Sequence, residues 1–133
     1  MQSGTQIRVL IIDDDPEFCE GLRILLSAEG YAAQIMEDGV EGGKALLANL
    51  PDLIVCDINM PFLNGFELLS LLRSDETTKS LPVILVSGDS DIDTLSKAVQ
   101  LGASDYLIKP LTRERLLDSI RSCLAKVSPR PLS

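Results

Sequence analysis

Hydrophobic and polar positions along the chain follow two alternating rhythms. Five short runs are apolar almost throughout or at every second position: "IRVLII" (7–12), "YAAQIM" (31–36), "DLIVCD" (52–57), "LPVILVS" (81–87) and "DYLIK" (105–109). Between them apolar residues recur at helical spacing, as in Phe18, Leu22, Leu25 and Leu26, and again over 38–48, 64–73, 92–101 and 112–126. Short strands alternating with amphipathic helices predict βαβ units around a parallel sheet. The first, third and fourth runs lack alternation, as expected of central strands covered by helices on both faces. Gly30 and Gly102 stand where the first and fourth helices should stop, because glycine accepts the left-handed conformation that closes a helix.

The polar exceptions to these strands carry the chemistry. Asp13 and Asp14 close the first strand, Asp57 the third, Ser87 the fourth and Lys109 the fifth. Right-handed crossovers put all these carboxyl ends on one edge. With strand order 2-1-3-4-5, one of the two common doubly wound arrangements, strands one and three meet at the topological switch point. Asp13, Asp14 and Asp57 then cluster, and clustered carboxylates either share protons or bind a cation. Magnesium suits such a site, since it accepts one or two carboxylates and leaves positions for water and phosphate oxygens. Lys109 adds a flexible point charge and Ser87 a hydroxyl, which together make a site for a phosphoryl group with Asp57 as nucleophile.

Composition removes competing chemistries. The chain of 133 residues is sized for one domain, and its net charge of −8, with no basic run, gives it no electrostatic case for binding nucleic acid or an anionic membrane. It contains no histidine, so serine–histidine triads and histidine-ligated metals are impossible within the chain. Cys19, Cys56 and Cys123 are odd in number and widely spaced in apolar or helical contexts, which predicts buried packing in a reduced, cytoplasmic setting. The opening "MQSGTQ" has no signal-peptide character, and no apolar run approaches the roughly 18 residues of a membrane span. The expected domain is 1–126, and "SPRPLS" makes 127–133 a flexible tail or the start of a linker.

In combination, "IIDDDP", "DINMPFLNGFELL", "PVILVSGDS" and "GASDYLIKP" resemble the receiver domain of two-component response regulators, from residue 7 to about 126. The resemblance implies a doubly wound α/β fold with a five-stranded parallel sheet in order 2-1-3-4-5 and five flanking helices. It makes Asp57 the phosphoacceptor, Asp14 a direct Mg²⁺ (or Mn²⁺) ligand and Asp13 a ligand directly or through water. Asn59 would offer the metal its backbone carbonyl. Ser87 and Tyr106 match the switch pair and Lys109 the phosphate-binding lysine, with a cis Lys109–Pro110 bond. The implied partners are a histidine kinase or histidine phosphotransfer protein, and an output domain or downstream protein that reads the surface of helix four, strand five and helix five. On this reading Tyr106 turns inward when Ser87 is drawn toward the phosphoryl group. The chain would catalyse only its own phosphorylation and dephosphorylation.

Plainer roles compete at several positions. Asp14 or Asp15 before Pro16 suits a helix N-cap, Ser87 before Gly88 a turn, and Tyr106 a packed strand aromatic. Gly88 and Asp89 border the expected pocket mouth, where Asn59 and Asp89 could orient an attacking water. "RSDETTKS" reads as a solvated loop. Two other classes are weighed: a haloacid-dehalogenase-like phosphatase, whose DxD spacing Asp13 and Asp15 meet formally, and a flavin protein, which the acidic first loop disfavours. A receiver acting only as a docking module is a further alternative.

Overall fold

The computed structural model describes residues 6–126, so the expected tail lies outside the described residues. The elements alternate: β1 (Arg8–Ile12), α1 (Pro16–Ala28), β2 (Ala32–Met36), α2 (Gly39–Ala48), β3 (Leu53–Asp57), α3 (Gly65–Arg73), β4 (Val83–Ser87), α4 (Ile92–Gln100), β5 (Asp105–Ile108) and α5 (Arg113–Ala125). All strand pairs are parallel, in the order β2-β1-β3-β4-β5. Ile12 pairs with Cys56 and Asp57 with Val86, so the three central strands end nearly level.

Alternation of side chains along each strand divides the core in two. Val9, Ile11, Leu53, Val55, Ile84, Val86 and Leu107 pack against α1 and α5, with Leu22, Leu26, Leu116 and Ile120 among the contributors. Leu10, Ile12, Ile54, Cys56, Val83 and Leu85 face α2, α3 and α4, where Leu46, Leu68, Leu69 and Ala98 close the layer. All three cysteines are free and buried, as their apolar settings predict.

Helix ends explain most differences between predicted and observed boundaries. Asp38, Asn64 and Thr112, read as first helical residues, are extended N-caps whose side chains accept from the backbone N–H of Glu41, Glu67 and Arg115. Asn64 and Glu67 form a reciprocal capping box. Gly30 and Gly102 both have positive φ, 89° and 90°, directly after the C-caps of α1 and α4. β4 begins at Val83 rather than Leu81, since Pro82 has no N–H to give the ladder. The segment after α3 is not merely solvated: Thr78 is buried and its hydroxyl donates to the carbonyl of Leu72 at 2.7 Å. Among the described residues no helix is long and apolar enough to cross a membrane.

Candidate functional site

The carboxyl edge of the sheet receives its polar residues from the strand ends and the loops after them. The N–H of Asp13 donates to the carbonyl of Met36 at 3.1 Å, which extends strand pairing by one residue and leaves Asp13 only 1% exposed. Asp14 is exposed. Asp15 belongs to the helix: its Oδ1 accepts from the N–H of Glu17 at 3.1 Å and of Phe18 at 3.4 Å, with Pro16 in the first turn. The second carboxylate of the DxD pattern is thus engaged in capping α1, which removes the phosphatase-like arrangement.

Asp57, at the end of β3, is 7% exposed, and its Oδ1 accepts from the N–H of Asn59 at 3.2 Å. One carboxylate oxygen from each of Asp13, Asp14 and Asp57 lies within 4.8 Å of the others. Against this cluster stands one ammonium: Lys109 Nζ is 3.0 Å from Asp13 Oδ2 and 3.7 Å from Asp57 Oδ2. Burial, followed by the charge of Asp13, pushes the Asp57 carboxyl above its ordinary range, against the opposing pull of Lys109 and the Asn59 N–H. Burial alone would lower the Lys109 ammonium, but the hydrogen bond and charge of Asp13, with Asp57 beside it, raise it overall. Three convergent carboxylates, two of them buried and sharing one amine, fit a hard divalent cation, whose charge would remove the remaining repulsion. The thiols offer no alternative nucleophile. Burial and then Asp13 push Cys19 up to about 12, and burial drives Cys56 up as well.

Ser87 is 1% exposed at the end of β4, and its Oγ accepts from the N–H of Asp89 at 3.0 Å. Gly88 borders open space, where an added Cβ would meet nothing within 4 Å. Asp89, expected at the pocket mouth, is exposed, and its carboxylate has partners in its own loop. Its Oδ1 accepts from the N–H of Asp91 at 2.8 Å and its Oδ2 from the Thr94 hydroxyl at 3.3 Å, so its carboxylate braces the start of α4. Tyr106 is 9% exposed in the α2/α3/α4 layer, and its hydroxyl donates to the carbonyl of Asp89. The ring therefore already occupies an inward position, combining the packing role with a tie to the loop after Ser87. The Lys109–Pro110 peptide is cis.

Two residues at this edge escaped the sequence reading. Gly65 begins α3 so close to β3 that an added Cβ would lie 2.6 Å from the Asp57 carbonyl oxygen, so only glycine allows this approach beneath the site. Phe18, assigned simply to the apolar stripe of α1, places its ring centroid 4.2 Å from Lys109 Nζ. Periodicity absorbs such a residue into the core, and nothing in sequence spacing joins it to Lys109.

The site's geometry can be set beside known proteins. Residues 9–121 match the family model for the response regulator receiver domain. Response regulator MprA of a Mycobacterium species (strain KMS) is 37% identical over 123 residues, covering 92% of this chain and 53% of its own length, and the Mycobacterium bovis BCG protein of that name is 36% identical over the same shares. The chain thus spans about half the length of these curated relatives. Among solved structures, a protein assigned as a response regulator from Chloroflexus aurantiacus superposes with a TM-score of 0.88 at 31% identity, covering 92% of this chain and all (100%) of the other. Chemotaxis protein CheY4 of Vibrio cholerae gives 0.83 at 26% identity, with 88% and 98% covered.

Proposed function

Because the chain belongs to the response regulator receiver domain family, we propose that Asp57 is its phosphoacceptor and that phosphorylation there switches the domain between two surfaces. The observation that carries this reading is the pairing of a buried carboxylate, Asp57, with Lys109 Nζ at 3.7 Å inside a three-carboxylate cluster. An oxygen of Asp57 attacks the donor phosphorus, the new O–P bond forms, and the bond from phosphorus to the donor histidine nitrogen breaks with its electron pair returning to the imidazole. Lys109 stabilises charge on the transferred oxygens, and the Ser87 hydroxyl turns from its loop to donate to one of them. Asp13, Asp14, Asp57 and the Asn59 carbonyl would hold Mg²⁺ or Mn²⁺. That ion, when bound, supplies Lewis-acid stabilisation of phosphoryl charge.

Two hydrogen bonds already present support a switch. Ser87 Oγ accepts from Asp89 N–H, and Tyr106 donates to the Asp89 carbonyl. Drawing Ser87 toward a phosphoryl oxygen breaks the first bond and shifts the loop to which Tyr106 is tied, so the surface of α4, β5 and α5 changes with it. A partner that prefers the new surface shifts the population by its differential affinity alone. The domain acts in the cytoplasm, takes its phosphoryl group from a histidine kinase or histidine phosphotransfer protein, and controls an output domain or downstream protein. Direct nucleic acid binding and membrane contact are not its work. Phosphoramidate, a small donor with the same P–N bond as phosphohistidine, tests the first step: with Mg²⁺ it should add one phosphoryl group to the protein. Failure to form any adduct would contradict the reading.

A further inference from the structure

Side-chain alternation puts Asp57 on the sheet face covered by α1 and α5, and the contacts of Asp13 and Lys109 bring them to the same corner. Phe18, in the first turn of α1, is partly buried against that face, and its ring stands over the ammonium of Lys109 at 4.2 Å from centroid to Nζ. Lysine is a compact charge on a flexible four-carbon stem, and Lys109 keeps a quarter of its side chain exposed (25%). Something must hold its amine over Asp57 if it is to meet a transferred phosphoryl group.

Asp13 does part of this, with Nζ 3.0 Å from its Oδ2. A further carboxylate on the other side would tether the amine more firmly but would also repel an incoming phosphate beside Asp13, Asp14 and Asp57. An aromatic face attracts a cation through its quadrupole and adds no net charge to the pocket. We infer that Phe18 is a positioning residue for phosphorylation at Asp57, holding the Lys109 ammonium over the acceptor carboxylate through its ring. This inference rests on the receiver reading and assigns it a residue from α1.

The test compares the unaltered protein with Phe18→Leu, which keeps an apolar side chain without a ring, and Phe18→Tyr, which keeps the ring. In ¹H–¹³C spectra of the protein without any phosphodonor, the Lys109 ε-methylene protons should be shifted upfield by the ring current, a shift lost in Phe18→Leu and retained in Phe18→Tyr. Phosphorylation by acetyl phosphate with Mg²⁺ should slow about three- to tenfold in Phe18→Leu and stay within about twofold in Phe18→Tyr. A phosphorylated unaltered protein with an equally fast Phe18→Leu, or with no ring-current shift at Lys109, overturns the positioning role alone. Absence of any adduct on the unaltered protein overturns the receiver reading itself, and the positioning role with it.

Discussion

Lys109 Nζ donates to Asp13 Oδ2 at 3.0 Å across 96 positions of sequence, and this bond joins the ends of β1 and β5 beside Asp57, 3.7 Å from the same amine. The pair is asymmetric: the Asp13 side chain is 1% exposed and that of Lys109 25%. Removing the lysine leaves two buried carboxylates without a nearby cation. Discounted for the partial exposure of Lys109, Lys109→Ala should lower stability by roughly 1–3 kcal/mol in the presence of chelator, measured by urea unfolding. Added Mg²⁺ should narrow that deficit, because a bound cation stabilises the folded state and replaces the lost charge. A variant as stable as the parent in chelator would show that the amine does not offset this charge.

The raised pKa of Asp57 makes a prediction of definite sign. In the folded state this carboxyl holds its proton to a higher pH than in the unfolded chain, so its contribution is most favourable at low pH and is lost as pH rises through the folded value. Asp57→Asn carries no such loss. Without divalent ions the variant should be more stable than the parent near neutral pH, by a few °C in melting midpoint, with the gap closing as pH falls below the ordinary aspartate range. Melting curves at several pH values in chelator check this, and a gap that widens in acid would contradict it.

Tyr106 ties its hydroxyl to the Asp89 carbonyl. Tyr106→Phe should cost about 1 kcal/mol of stability and leave the fold intact. The specific sign is local: amide exchange at Asp89 and Asp91 should quicken, since the former donates to Ser87 Oγ and the latter to the Asp89 carboxylate. Unchanged exchange at both amides would mean that the tyrosine does not hold this loop.

Phe62, in the loop between β3 and α3, has φ of 68° and is 89% exposed. It is the central residue of a tight turn closed by the N–H of Leu63 on the Pro61 carbonyl at 2.8 Å. A left-handed conformation costs a side-chain-bearing residue about 1–2 kcal/mol, and glycine's greater freedom when unfolded returns part of that. Phe62→Gly should therefore raise the urea midpoint by the equivalent of about 0.5–1 kcal/mol, with no gain from Phe62→Ala. Equal midpoints for the two variants would place the effect outside the backbone.

The legible parts of this molecule are those in which local pattern and global position agree. Near-continuous apolar runs marked β1, β3 and β4 because parallel strands are buried on both faces, and the polar residues that close the first, third, fourth and fifth runs, Asp13, Asp57, Ser87 and Lys109, stand at their carboxyl ends. Asp13, Asp14, Asp57 and Lys109 could be grouped from that rule before any coordinates. The engagement of the Asp89 carboxylate with Asp91 and Thr94 in its own loop had no signal in the sequence, since turn geometry sets it. Tyr106 is buried on the α4 side of β5, as a packed strand aromatic would be, while its tie to the Asp89 carbonyl had no signal in the sequence. Phe18 shows the limit from the other direction. A helical stripe says that a residue faces the sheet, and only the fold says which charge it meets there.

Phosphorylation at Asp57 is read out by intact mass after incubation with acetyl phosphate and Mg²⁺, with and without chelator, beside Asp57→Asn. The parent should gain one phosphoryl group, a gain that chelator prevents and Asp57→Asn abolishes. No adduct on the parent, together with no binding of beryllofluoride as a phosphoryl mimic, would contradict the phosphorylation switch and leave a receiver fold that serves only for docking.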